Sequence, residues 1–86
     1  MREEAGVVLD WIRENTAHPD ADGALGTSTP LLDEGWLDSL RIVRLVSFLE
    51  SRFEVAVDLE DLTPENFETL EHIAALIERA RQSRTG

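Results

Sequence analysis

The decisive stretch of the sequence is residues 38–53, which read DSLRIVRLVSFLESRF. At 100° per residue, most of its apolar side chains fall on one helix face, namely those of Ile42, Leu45, Val46, Leu49 and Phe53. Asp38 precedes this periodic run and suits an N-cap, because a carboxylate accepts hydrogen bonds from the free amides of a helix start and is stabilised there by the helix dipole. The stretch therefore predicts an amphipathic helix that begins directly after Asp38.

The remaining faces of this helix carry charge and two isolated apolar side chains. The polar side is formed by Arg41, Arg44, Ser51 and Arg52. Leu40 lies in the first turn and Phe48 lies further along, both away from the apolar face. Apolar side chains beside a helix start indicate a contact surface, although single exposed apolar residues are common on any protein.

Helical patterns continue on both sides of the decisive stretch. Apolar spacing in the N-terminal region predicts a first helix over Glu3–Asn15. Thr63-Pro64 is a helix-start signal and predicts a short third helix, and Thr69 is a cap candidate for a last helix that runs to about Arg81. No strand pattern of useful length occurs, so we predict an all-α four-helix bundle. The expected centre of its core is Val8, Trp11, Ile12, Ile42, Val46, Leu49, Phe53, Ile73 and Ile77.

A long segment without periodicity, residues 18–38, separates the first two helices. It is rich in Asp, Gly, Ser, Thr and Pro, and a loop of this length is usually functional or disordered. Its apolar residues are expected to hold it against the core, and these are Leu25, Leu31, Leu32, Trp36 and Leu37.

Composition limits the classes of function. The 86 residues predict a single domain, 1–86. The net charge of −10, from 18 acidic and 8 basic residues, disfavours nucleic acid and anionic membranes as partners and favours basic patches on proteins. Alternatively, the negative charge could serve only to keep the protein soluble. Charged residues interrupt the N-terminal region, which argues against a signal peptide or a membrane span, so we expect a cytoplasmic protein.

No catalytic residue and no metal ligand is expected. The chain has no cysteine, which excludes disulfides, thiolate metal sites and a cysteine nucleophile. A calcium loop beginning at Asp20 fails, because its sixth and twelfth positions require Gly and Glu and hold Leu25 and Leu31. His18 and His72 show no zinc-binding pattern.

Ser39 admits two interpretations. Serine is common at helix starts, so it could serve only as part of a cap. Alternatively, a phosphate on its hydroxyl would suit the positive end of the helix. No general base is recognisable beside Ser39, which favours a serine modified by another enzyme over a self-activated nucleophile.

The stretch Leu31–Leu40, LLDEGWLDSL, resembles the acyl and peptidyl carrier proteins, and the similarity continues through residues 61–67, DLTPENF, to about Ile77. The resemblance implies an acyl-carrier type of bundle and a covalent 4′-phosphopantetheine arm on Ser39, flanked by Asp38 and Leu40. A phosphopantetheinyl transferase would install the arm from coenzyme A with magnesium. Such a protein carries acyl or aminoacyl groups as thioesters and is not an enzyme.

The resemblance also implies partners, which are an adenylating ligase or acyltransferase that loads the arm and downstream biosynthetic enzymes. Fatty acid carriers present acidic residues after the serine, whereas this chain presents Arg41 and Arg44. We therefore predict a discrete, monomeric carrier of a polyketide, nonribosomal peptide or related pathway, with its cargo open. The expected partner-binding residues are Leu40, Arg41, Arg44, Phe48, Glu50, Glu54, Asp58, Glu60 and Asp61.

Two alternatives remain at this point. The chain could be an unmodified acidic helical adaptor that binds a protein through the start of the second helix. It could also be a carrier domain excised from a megasynthase, although its ends lack the Pro- or Ala-rich linkers expected there.

Overall fold

The computed structural model describes residues 3–16 and 25–85, and only the backbone of residues 83–85. These ranges hold three α-helices, α1 (Glu3–Asn15), α2 (Ser39–Phe53) and α3 (Leu70–Thr85). Two short 3-10 helices, Leu59–Asp61 and Pro64–Phe67, lie between α2 and α3, and the two ranges contain no strand. The all-α prediction is therefore confirmed for this part of the chain. None of its helices is both long and apolar enough to span a bilayer.

The observed helix bounds agree with the predicted ones over most of the chain that the structure describes. The helix α1 has the predicted bounds, and α2 begins directly after Asp38, as predicted. Thr69 caps α3, because its Oγ1 accepts from the amide of His72 at 3.1 Å. The helix α3 continues to Thr85, beyond the predicted end near Arg81. The predicted short third helix is instead the four-residue 3-10 helix Pro64–Phe67, so the described residues do not form four α-helices. Thr63 makes no capping bond there, and its Oγ1 contacts the amide side chain of Asn66 at 3.3 Å. An α-helical start without a cap is weakly stabilised.

Side-chain contacts define how the helices run. Arg41, near the start of α2, reaches the last residue of α1. Near the other end of the bundle, Arg81 of α3 binds Glu4 of α1 at 2.6 Å. Arg52, near the end of α2, also lies 3.9 Å from Glu3 at the start of α1. The helix α1 is therefore antiparallel to α2, and the end of α3 lies beside the start of α1.

The Glu4 contact belongs to a cluster at the end of the bundle where α2 and α3 terminate. The Glu4 residue is buried and pairs with Arg81, which also lies over the Phe53 ring, 5.0 Å from its centroid. Arg52 approaches the same ring at 5.2 Å. Two guanidinium groups on one aromatic ring, with a carboxylate beside them, join all three helices at this end.

The core differs from the prediction at two positions. Trp11 and Ile42 are only partly buried and pack against the core from its edge. The centre is occupied instead by Trp36 and Phe67, the largest of the fully buried side chains, and by Leu45 of α2. The centre of the buried face of α2 is therefore Leu45 rather than Ile42, because Trp36 and Phe67 occupy the rest of the core centre. The remaining predicted core residues are buried, namely Val8, Ile12, Val46, Leu49, Phe53, Ile73 and Ile77.

The segment that precedes α2 is held by both side chains and backbone. Leu25, Leu31, Trp36 and Leu37 are buried, as predicted, whereas Leu32 is partly buried. The amide of Leu31 donates to the carbonyl of Glu68 at 2.7 Å, and the amide of Trp36 donates to the carbonyl of Leu31 at 2.8 Å. The segment is therefore packed on the core just before the helix starts.

Leu49 tests this account of the core. Its side chain is fully buried in the middle of α2, so we expect Leu49→Ala to lower the free energy of unfolding by about 2–5 kcal/mol. Val43→Ala, on the exposed side of the same helix, should change it by less than about 0.5 kcal/mol. Urea denaturation followed by circular dichroism measures both, and similar losses for the two variants would contradict the assigned face.

Candidate functional site

Asp38 alone caps α2. It has extended backbone angles (φ −141°, ψ −179°), and its Oδ1 accepts from the amide of Arg41 at 2.8 Å. Its carbonyl accepts from the amide of Ile42 at 2.8 Å, which begins the helical hydrogen-bond pattern. The predicted N-cap is therefore confirmed, and Ser39 has no capping role.

Ser39 is the first residue of α2 and is exposed to solvent. Its hydroxyl makes no hydrogen bond with any residue in the described part of the chain. The amides of the first helical turn point out of the helix start, where they stabilise an anion. An exposed hydroxyl at this position fits the attachment of a phosphate-linked group, because no described side chain covers it.

Arg41 is less open to partners than its place in the sequence indicates. Its Nη1 donates to Asp38 Oδ2 at 3.0 Å, and its Nε donates to the carbonyl of Asn15 at 3.4 Å. The side chain is one-third exposed. Arg44, one turn later, is exposed and makes no hydrogen bond or ion pair with the described residues. The two arginines therefore have different surroundings.

An apolar face lies directly after Ser39. Leu40 and Val43 are each 61% exposed, three residues apart. Together with Arg44 and Ser47 they share one side of α2, because residues three and four apart are neighbours on a helix surface. We call Leu40, Val43, Arg44 and Ser47 the docking face. Leu40 and Arg44 were among the predicted contact residues, whereas Val43 was not, although its spacing from Leu40 was a signal for it.

Phe48 and Glu50, two of the expected partner-binding residues, make contacts within the protein. The Phe48 ring stacks on Trp11, with ring centroids 6.0 Å apart, and is partly buried. The carboxylate of Glu50 accepts from the amide of Val57 at 3.0 Å and so orders the chain after α2.

The acidic residues of the proposed partner surface follow the far end of α2. Glu54 ends the helix in the left-handed conformation (φ 55°). Asp58 and Glu60 are exposed, and Asp61 is partly buried at the end of the first 3-10 helix. Leu59 lies among them and is 85% exposed, a feature that the sequence analysis did not single out. Among the described residues, Ser39 makes no hydrogen bond with any of these acidic residues.

No group of three or more metal-ligating side chains occurs in the described residues. The Nδ1 atom of His72 lies 2.7 Å from Thr69 Oγ1, at the start of α3. His18 and the sequence Asp20–Gly23 lie outside the described residues.

Comparison with known proteins identifies the class of molecule to which this site belongs. Residues 7–77 match the family model described as "phosphopantetheine attachment site". The chain is also 34% identical over 62 residues to the probable acyl carrier protein PigG of Serratia sp. (strain ATCC 39006), a match that covers 72% of this chain and 70% of that protein. The protein therefore belongs to the phosphopantetheine-attachment family. It is a carrier protein whose cofactor is covalent 4′-phosphopantetheine, and the predicted resemblance is confirmed.

The cap can be tested by itself. Asp38→Ala removes the acceptor for the Arg41 amide, so we expect the free energy of unfolding to fall by about 0.5–2 kcal/mol. Asp38→Asn retains an acceptor oxygen and should lose less. Amide hydrogen exchange at residues 40–42 should accelerate in the alanine variant, and unchanged exchange there would show that the cap does not stabilise the helix start.

Proposed function

We propose that this protein tethers an acyl or aminoacyl group as a thioester on a phosphopantetheine arm at Ser39 and presents it to the enzymes of a natural-product pathway of the polyketide, nonribosomal peptide or related type. The observation that carries the proposal is the exposed hydroxyl of Ser39 at the start of α2. Because Asp38 caps this helix, the Ser39 hydroxyl is not required for capping. Ser39 also lies within the part of the chain that matches the family.

The attachment reaction assigns a limited role to this chain. The Ser39 oxygen forms a bond to the phosphorus nearest pantetheine in coenzyme A. The bond between that phosphorus and the oxygen leading to the second phosphate breaks, and adenosine 3′,5′-bisphosphate leaves. The hydroxyl proton passes to a base of the transferase, since no described side chain bonds Ser39. The start of α2 then stabilises the phosphodiester charge.

The arm supplies the chemistry that the sequence lacks. When it is attached, its terminal thiol provides the sulfur for the thioester, whereas the chain has no cysteine. We therefore propose that the protein carries its cargo without catalysing a reaction. It would depend on a phosphopantetheinyl transferase, on an adenylating ligase or acyltransferase, and on the enzymes that use the cargo. The cytoplasm is the proposed location because coenzyme A is available there.

Intact-mass spectrometry tests the attachment residue. Incubation of the apo protein with coenzyme A, magnesium and a broad-specificity transferase should add one phosphopantetheine mass to the native chain and none to Ser39→Ala. Ser51→Ala, an exposed serine about three turns along the same helix and outside the docking face, should be modified like the native protein.

Addition to Ser39→Ala would place the arm elsewhere. A native protein that accepts no arm from an active transferase would favour the unmodified adaptor instead. Circular dichroism should establish that each variant is folded.

The docking face is the proposed contact for enzymes that load the arm. An enzyme that reaches the arm must approach the turn after Ser39, where Leu40 and Val43 offer apolar area and Arg44 offers a positive charge. A complementary surface would place an apolar pocket over the two aliphatic side chains and a carboxylate opposite Arg44. Arg41, which binds Asp38, would not make this contact.

Charge reversal tests this contact. Arg44→Glu in the holo protein should lower the rate of loading by the cognate enzyme about fivefold, corresponding to ~1 kcal/mol for an exposed charge pair. The effect should shrink at high salt. The matched control is Arg52→Glu, which makes the same charge change at the other end of α2 and should load normally. Equal rates for both variants at low salt would contradict the proposed face.

A further inference from the structure

Arg41 donates three hydrogen bonds, two to Asp38 at the start of α2 and one to the end of α1. Its amide donates to Asp38 Oδ1 at 2.8 Å, and its Nη1 donates to Oδ2 of the same carboxylate at 3.0 Å. Its Nε donates to the carbonyl of Asn15 at 3.4 Å. One residue thus binds both oxygens of the cap and a carbonyl of a different helix.

The acceptor on α1 is one that needs a partner. The last four carbonyls of a helix have no partner within it, and Asn15 is the final residue of α1. The next residue, Thr16, is buried and donates its hydroxyl to the carbonyl of Trp36 at 3.1 Å. At the end of α1, Asn15 therefore binds Arg41 and Thr16 binds Trp36. These two partners lie on either side of Leu37 and Asp38 in the sequence.

These bonds determine where Ser39 lies relative to α1. The connection between the two helices is long, and a long loop restricts the positions of its ends only weakly. The bond from Thr16 to the carbonyl of Trp36 places this part of the chain near the end of α1, and Arg41 also binds Asp38, the residue immediately before Ser39. Fixing both oxygens of Asp38 leaves that side chain a single orientation.

On the basis of the function proposed above, we propose that Arg41 is a positioning residue for Ser39. It holds the Asp38 cap against the end of α1 and so presents the Ser39 hydroxyl to the transferase in one orientation. Its charge also offsets the Asp38 carboxylate, which would otherwise lie unpaired beside the phosphodiester.

The geometry requires a guanidinium group. A planar fork donates to two acceptors in different directions, whereas the ammonium of lysine is a compact charge on a flexible stem. A charge recognised by a partner would tolerate lysine at this position. A bridge between Asp38 and Asn15 would not. The substitution Arg41→Lys therefore separates the two roles.

Transferase kinetics provide the first measurement, with apo protein, coenzyme A, magnesium and a broad-specificity phosphopantetheinyl transferase. We expect Arg41→Met and Arg41→Lys each to lower kcat about tenfold, because misplacing a nucleophile reduces the rate of the chemical step. The KM for the carrier should change little, since the docking face is intact. Arg52→Met removes the same charge about 16 Å along α2 and should behave like the native protein.

Amide hydrogen exchange provides a measurement that is independent of modification. Exchange at residues 41 and 42, whose amides bond to Asp38, should accelerate in both Arg41 variants and stay at the native rate in Arg52→Met. Unchanged exchange and kcat in the Arg41 variants would overturn the proposal. A raised KM for Arg41→Met with native kinetics for Arg41→Lys would also overturn it and assign the charge to partner recognition.

Failure of the proposed function would look different. In that case the native protein would take no arm, or Ser39→Ala would still take one. The exchange rates at residues 41 and 42 would continue to report whether Arg41 holds the start of α2.

Discussion

The hydrogen bond from the amide of Arg41 to the carboxylate of Asp38 is the constraint on which the functional end of the molecule depends. It fixes the residue at which α2 begins, and with it the direction in which the chain before Asp38 enters the helix. Because Asp38 satisfies the helix start, the adjacent Ser39 hydroxyl remains available for chemistry. Because successive residues of a helix are 100° apart, a start one residue earlier or later would turn the entering chain by 100° relative to the buried Leu45 and Leu49.

The cap in turn depends on the packing around it. Trp36 and Leu37 are buried just before the helix, and Leu31 is bonded to the carbonyl of Glu68 near the start of α3. The loop is therefore a part of the core rather than a simple connection. This arrangement lets the protein expose the apolar side chains of Leu40 and Val43 beside Ser39, because the stabilising contacts lie on the other side of the same helix.

Local signals in the sequence were sufficient for the bounds of α1, for the start of α2, for the Asp38 cap and for Ser39 as the candidate site. These features depend on periodicity, on capping chemistry and on a family motif within a few residues of each other. Two other features depend on how distant segments pack together. Trp36 and Phe67 occupy the centre of the core in place of Ile42, and residues Pro64–Phe67 form a 3-10 helix. The Arg41 contact with Asn15 also joins residues that are distant in sequence, so a surface role was the natural expectation for that arginine.

The Glu4–Arg81 pair has a practical consequence for the use of this protein. It places residues near both ends of the chain side by side at the end of the bundle where α2 terminates, about 20 Å along α2 from Ser39. A bead, a dye or a fused enzyme joined close to Glu4 or Arg81 would therefore lie at the opposite end of α2 from Ser39. The fold provides a natural orientation for immobilised arrays, in which every copy would offer its loading end to enzymes in the surrounding solution.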